Sequence, residues 1–382
     1  MKLENYNDYK EYSVKIYDIR MSMSVLSWDQ ETKMPKNGSK FRAQQLSTLA
    51  KIAYELSTDD KYGKLLENLN NDQLLNSDQK RNIFLSRKEF LKNKKYSSEF
   101  IVKQSKLISK AFNDWRIAKE KNDFKLFQDS LEKLVVLRKE ECELIGYTNH
   151  PYDALLDRYE PNLTTKDVDL IFKDVKEKLV PFIKLIAKNN QVDESFFYQL
   201  YDHDKQWDFG IKLLKQMGYD FDSGRQDISA HPFSSHFSPQ DARVTTRIDD
   251  NNLSEMIWSC IHEGGHALYE QGILSENYGT PLGNSVSLGI HESQSRLWEN
   301  HVGRSLEYWK YNYPSLKSLF PDKLKNVDYY KFYEATNNVK PSLIRTNADE
   351  LTYHLHVLIR YEIEKGLIEG SIDVKDLPTI WN

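Results

Sequence analysis

The segment LSEMIWSCIHEGGHALYEQG, residues 253–272, decides how this chain is read. Asp249 to Asn252 supply N-cap residues before it, and Gly272 can cap its far end. Leu253, Ile257, Ile261 and Leu268 recur at helical spacing. A helix is therefore expected, although Gly264 and Gly265 each cost it roughly 0.8–1.0 kcal/mol relative to alanine. At about 100° per residue, His262 and His266 lie about 40° apart on one face, so both imidazoles can reach one ion. Zinc suits two imidazole nitrogens, and Glu263, rotated off the pair, suits a general base acting on metal-bound water. A spelling of this kind also arises by chance; its place inside a capped helix separates it from most such matches. The glycines provide room, with Gly265 expected to face a sheet or cleft and Gly264 a packed neighbour.

A zinc peptidase needs a third protein ligand. HESQSRLWEN (291–300) offers Glu292, 26 residues after His266, which leaves space for a loop and an antiparallel return. It would complete a His₂Glu site with the fourth position open to water. An acid at the start of a helical run more commonly interacts with the helix dipole, and that is the ordinary alternative for Glu292.

Around this segment the chain changes character near residue 225. The stretch RVTTRI (243–248) is β-branched and predicts a short strand. ENYGTPLGNSVSLGIHES (276–293) breaks helix and is a candidate for another strand. Eight of the ten histidines fall between His231 and His356, which places the chemistry in the second half. Upstream the text is helix after helix. Residues 126–146 carry a stripe of Leu126, Leu131, Leu134, Leu137 and Leu144 closed by Gly146. Residues 167–189 read likewise, with Pro181 expected to bend or split the helix. Such stripes ordinarily pack a core. The reading is one large helical domain, 1–382, with a scaffold lobe over 1–200 and a zinc-site lobe over 201–382.

Composition narrows the class. With 29% charged, 39% hydrophobic and 12% aromatic residues the chain is globular. A net charge of -4 provides no broad basic field, so nucleic acid is not an expected partner. Cys142 and Cys260 lie far apart and suit a reducing compartment. No basic and apolar signal segment opens the chain, and no apolar run reaches the roughly 20 residues that span a bilayer. A cytoplasmic protein without a membrane partner is expected.

HEGGH followed by HESQSRLWEN resembles the carboxypeptidase Taq family, the HExxH metallocarboxypeptidases. SWDQETKMP (27–35), PYDALLDRYEP (151–161), HPF (231–233), DARVTTR (241–247) and IRTNADE (344–350) match it in the same order. The resemblance implies a mainly α, large helical zincin-like fold with a deep cleft and a small antiparallel β-sheet beside the zinc helix. It implies a zinc-dependent hydrolase that releases single residues from peptides with a free C-terminus, usually as a homodimer. On its motifs His262, His266 and Glu292 would bind Zn²⁺, or another divalent ion such as Co²⁺, and Glu263 would be the catalytic base. His231, Arg243 and Arg345 would bind substrate, and a guanidinium suits a terminal carboxylate because its fork engages both oxygens. Arg345 is the first choice and Arg243 the next; pairing with a structural acid is the alternative for each.

The family's GxxQDxHW motif lies beyond DLPTIWN (376–382) and is not found in this sequence. Two other readings of the residues stay open. One is a truncated, catalytically impaired zinc-binding protein; the other is a helical zinc oligopeptidase that cuts internally.

Overall fold

The computed structural model describes residues 5–189, 192–345 and 348–381. Helices follow one another from Tyr6 to Ile186, three short strands occupy Gln226–Thr246, and helix resumes at Leu253. Two compact units result, one from Met1–Lys88 with Asn189–Asn338, the other from Glu89–Lys188 with Val339–Asn382. Each unit thus draws on two separate stretches of the sequence, and the first 88 residues share a unit with the HExxH helix.

In the first unit the helix Tyr6–Thr32 begins with a capping box, the Asn5 side chain accepting from the backbone of Asp8 and Asp8 returning to Asn5. It buries Tyr9, Ile16, Tyr17 and Trp28. The strands are β1 (Gln226–Ile228), β2 (Ser234–Ser238) and β3 (Asp241–Thr246), with β3 central. β2 and β3 pair antiparallel, Ser235 opposite Arg243, across a tight turn, whereas β1 runs parallel to β3 with Gln226 opposite Val244. The sheet is therefore mixed and not wholly antiparallel: the 229–233 loop carries the chain past β3, so that β1 and β2 border it on opposite sides. RVTTRI contributes to β3 as expected. The 276–293 stretch forms no strand; it makes two short 3₁₀ turns and the helix Leu288–Arg296. Gly279, at φ 77°, and Pro281 at a turn start account for this, since neither continues a ladder.

The HExxH helix, Leu253–Gln271, runs through the core of this unit. Its Met256, Ile257 and Ile261 meet Phe209, Leu213 and Leu214 of the helix His203–Met217. Trp309 and Phe332 close the far side with ring centres 4.3 Å apart.

In the second unit helix is the one regular element among the described residues. Helix Lys125–Ile145 ends at Gly146 with φ 79°, as the sequence indicates. Its stripe is narrower than read: Leu137 is fully buried while Leu126 and Leu144 are exposed. The buried Glu141 beside it accepts from Tyr96 at 2.9 Å, Arg138 at 2.6 Å and Arg158. Helix Thr165–Ile186 is continuous through Pro181. Among the described residues no helix is long and apolar enough to cross a membrane.

Trp309 is fully buried against Phe332 and Trp258. Its replacement by Ala should therefore cost about 3–5 kcal/mol, read as a lowered denaturant midpoint for the first unit. An unshifted midpoint would show that this core relaxes around the cavity.

Candidate metal centre

The HExxH helix forms because its ends are satisfied as well as its apolar face. The Asn252 side chain accepts from Ser254 N, and Glu255 in the first turn complements the dipole. One turn apart, the His262 and His266 rings stand 5.0 Å from each other at 84°. The helix Leu288–Arg296 is capped by Ser287 and delivers Glu292 from its second turn. Glu292 is thus past the N-terminal position that the dipole explanation needs. Its Oε2 lies 3.3 Å from His266 Nε2 and 3.7 Å from His262 Nε2.

These three are the one group among the described residues whose ligand atoms, all within 4.8 Å of one another, could hold a metal ion. The donor set fits a divalent ion of the zinc type. Bonds of about 2.0–2.2 Å at tetrahedral angles place ligand atoms about 3.3–3.6 Å apart, close to the 3.3 and 3.7 Å observed for Glu292.

The carboxylates of the site divide in character. Burial pushes Glu263 above the ordinary glutamate range, and His262, His266 and a hydrogen bond with Ser234 of β2 only partly offset it. Burial acts on Glu292 in the same direction, yet the hydrogen bond with His266 and the charges of His262 and Arg296 draw it down to about 2. The result is one carboxylate disposed to take up a proton beside another disposed to stay ionised.

Other side chains here were not singled out from sequence. Glu299 Oε2 accepts from His262 Nδ1 at 2.7 Å. Burial would lower the His262 pKa, but the Glu299 contact raises it. Glu299 lies seven residues after Glu292, two helical turns on, and that spacing within HESQSRLWEN is the signal that could have found it. His291 stacks on His266 with centres 4.4 Å apart and has its Nε2 2.8 Å from the buried Glu270.

The substrate-binding candidates fall in different places. His231 is exposed in the loop between β1 and β2. Arg243 holds Asp241 with both arms of its fork, at 2.7 and 2.8 Å, and lies over the rings of Trp28 and Phe237. Arg345 belongs to the second unit, donates to Tyr353 Oη at 2.7 Å, and pairs with no described carboxylate. Within IRTNADE, Thr346 and Asn347 lie outside the described residues, as does Asn382 of DLPTIWN.

A family model described as carboxypeptidase Taq (M32) metallopeptidase matches residues 8–382. The chain belongs to this family. It is 39% identical over 363 residues to carboxypeptidase 1 of Bacillus subtilis, covering 94% of this chain and 72% of that protein. To thermostable carboxypeptidase 1 of Thermus thermophilus it is 37% identical over 371 residues, again covering 94% and 72%. The crystal structure of BsuCP superposes with a TM-score of 0.94 at 38% identity, over 99% of this chain and 76% of that one. A structure of the Pyrococcus furiosus carboxypeptidase agrees as closely, with a TM-score of 0.94 at 35% identity, over 100% and 78%. This M32 protein is accordingly a metallocarboxypeptidase, a hydrolase acting on peptides, with the mainly helical fold and small sheet of its relatives.

The two glycines of the motif do different things in this M32 chain. A methyl group on Gly264 would meet the flexible ends of Leu214 and Met217, at 2.7 and 2.9 Å, so it faces a packed neighbour as expected. On Gly265 it would meet the backbone of the helix that carries Glu292, Ser295 Cα at 2.7 Å and Gln294 O at 3.0 Å. Gly265 thus faces neither sheet nor cleft but a second helix, because the ligand-bearing elements approach backbone to backbone. Gly265→Ala should weaken divalent-metal binding at least about tenfold, on the scale of losses at residues supporting a metal ligand, whereas Gly264→Ala should leave it within a few-fold. Metal titration against a chelator checks this, and equal affinities in the two variants would contradict it.

Proposed function

We propose that this metallocarboxypeptidase is a zinc enzyme that removes single residues from peptides with a free C-terminus. His262, His266 and Glu292 are the proposed ligands and Glu263 the general base. The observation that carries the reading is the convergence of His262 Nε2, His266 Nε2 and Glu292 Oε2 next to a buried carboxylate of raised pKa. A divalent ion held there supplies a Lewis acid and eases the deprotonation of water.

The chain's own groups do the rest. Glu263, with its high proton affinity, takes a proton from the attacking water on its carboxylate and returns it to the leaving amine. Ser234 holds that carboxylate from the sheet side. His262 and His266 present their Nε2 atoms to the site, and Glu292 stays ionised at neutral pH. Arg345 is the proposed reader of the substrate carboxylate, since its guanidinium meets a tyrosine hydroxyl and no described acid. Arg243 and His231 are proposed to line the substrate path in supporting roles. The enzyme is further proposed to work in the cytoplasm as a homodimer, without nucleic acid; both cysteines are free and buried. A single peptidase domain holding both compact units is part of the same reading.

The test is Glu263→Gln assayed on a peptide and on its C-terminally amidated twin. The variant should keep its metal and lose about 10²–10⁴ in turnover, the ordinary contribution of a general base. The unmodified enzyme should release residues only from the free-acid peptide. Undiminished turnover in the variant removes Glu263 from the mechanism, and cleavage of the amidated peptide would make the protein an internally cutting oligopeptidase.

A further inference from the structure

Behind the three proposed ligands lies a ring of charged side chains that the chemistry above does not use. Glu299, on the π-helical turn Leu297–Val302, is 8% exposed. Its Oε2 accepts the His262 Nδ1 proton at 2.7 Å and an Nη1 proton of Arg296 at 2.8 Å. Arg296 Nε donates in turn to Glu292 Oε1 at 3.0 Å. Arg304, lying over the Trp258 ring and donating to the Thr336 carbonyl, approaches Glu299 Oε1 at 3.6 Å. The path from His262 through Glu299 and Arg296 to Glu292 therefore connects two of the three ligands from behind.

We infer that Glu299 and Arg296 are positioning residues that pre-set the metal site, an inference that rests on the ligand assignment above. Glu299 keeps the His262 proton on Nδ1, which leaves Nε2 with a free lone pair directed at the ion. Arg296 occupies Glu292 Oε1, so that Glu292 offers Oε2 alone and ligates through one oxygen. With the ligand Glu292 counted, two carboxylates face the two guanidiniums of Arg296 and Arg304, so the oriented cluster is balanced in charge. His266 supplies the contrast: its Nδ1 is buried without a hydrogen-bond partner among the described residues. Orientation from behind is concentrated on His262 and Glu292.

The experiment measures Zn²⁺ dissociation constants by competition with a chromophoric chelator on the full chain. Glu299→Gln, Arg296→Gln and His262→Ala are compared with the unmodified protein, with melting of each metal-free variant alongside. Glu299→Gln and Arg296→Gln should each weaken Zn²⁺ about 10–100-fold while the metal-free melting temperature stays near the unmodified value. The visible spectrum of Co²⁺ bound to Arg296→Gln should also change, because Glu292 is then free to ligate through both oxygens. Unmodified affinity in both variants, with His262→Ala defective, overturns the inference and leaves the ligand assignment standing. A drop in melting temperature with unmodified affinity also overturns it, since the ring would then only support the fold. Unmodified affinity in His262→Ala removes the ligand assignment and the inference together. Should Glu299→Gln not fold, Arg296→Gln alone decides between these outcomes.

Discussion

The contact on which the site depends is the approach of two helix backbones at Gly265. Only a residue without Cβ admits Ser295 Cα so close to the HExxH helix. Glu292 sits one turn before Ser295, so this contact sets how far its carboxylate stands from the two imidazoles. A larger residue at 265 would have to push away backbone, which has no rotamer to yield. The helical cost of the glycine is thus offset by a fixed ligand distance. On the neighbouring side Gly264 meets only side-chain ends that can turn aside, and the rigidity is local to one face.

Once the helices are that close, burial and charge divide the labour among the acids. Glu263 is buried and Glu292 more exposed, and in both desolvation raises the proton affinity. The neighbours differ as well. Glu292 faces His266, His262 and Arg296, and their combined effect exceeds the desolvation. At Glu263 the charges of His262 and His266 and the Ser234 hydroxyl of β2 also favour the ionised form, but no guanidinium joins them and desolvation wins. The sheet thereby acts on the chemistry as well as on the fold. With Thr246 of β3 bonded to Ser259 at 2.6 Å, it fixes the side of the helix that carries Glu263 and shields the base from water.

Much of this was legible because the periodicities are local. The caps at Asn252 and Gly272, the apolar spacing between them and the four-residue interval of the histidines all lie within one helix. The RVTTRI strand and the Gly146 stop are short-range signals as well. What escaped depends on partners distant in sequence. The exposure of Leu126 and Leu144 is set by which neighbours cover that helix and not by its own spacing. The parallel pairing of β1 with β3 is decided by how a loop crosses, and the 276–293 segment shows that turn residues outweigh β-branched ones when they alternate. Glu299 was within reach by its interval from Glu292, but its partner is His262, and nothing in a helical interval says which helix lies opposite.

The same reasoning separates recurring motifs from chemistry. In DARVTT the acid and the arginine are two apart on β3, and strand alternation puts them on one face, so their bidentate pair follows from local geometry. Arg225, just before β1, and Asp227 on it repeat the device, at 2.6 and 2.9 Å. Trp28, from the SWDQ motif of the first helix, lies under both guanidiniums, 5.4 Å from Arg225 and 4.6 Å from Arg243, while Lys33 reaches Asp227 at 2.9 Å. Two motifs more than two hundred residues apart thus interlock as a stack of rings and ion pairs that joins helix to sheet. An arginine whose fork is already filled by its own strand would have to release Asp241 before gripping a substrate carboxylate. Arg345 holds no described acid that it would have to release, which is why recurrence of a motif weighs less here than the partners its guanidinium already has.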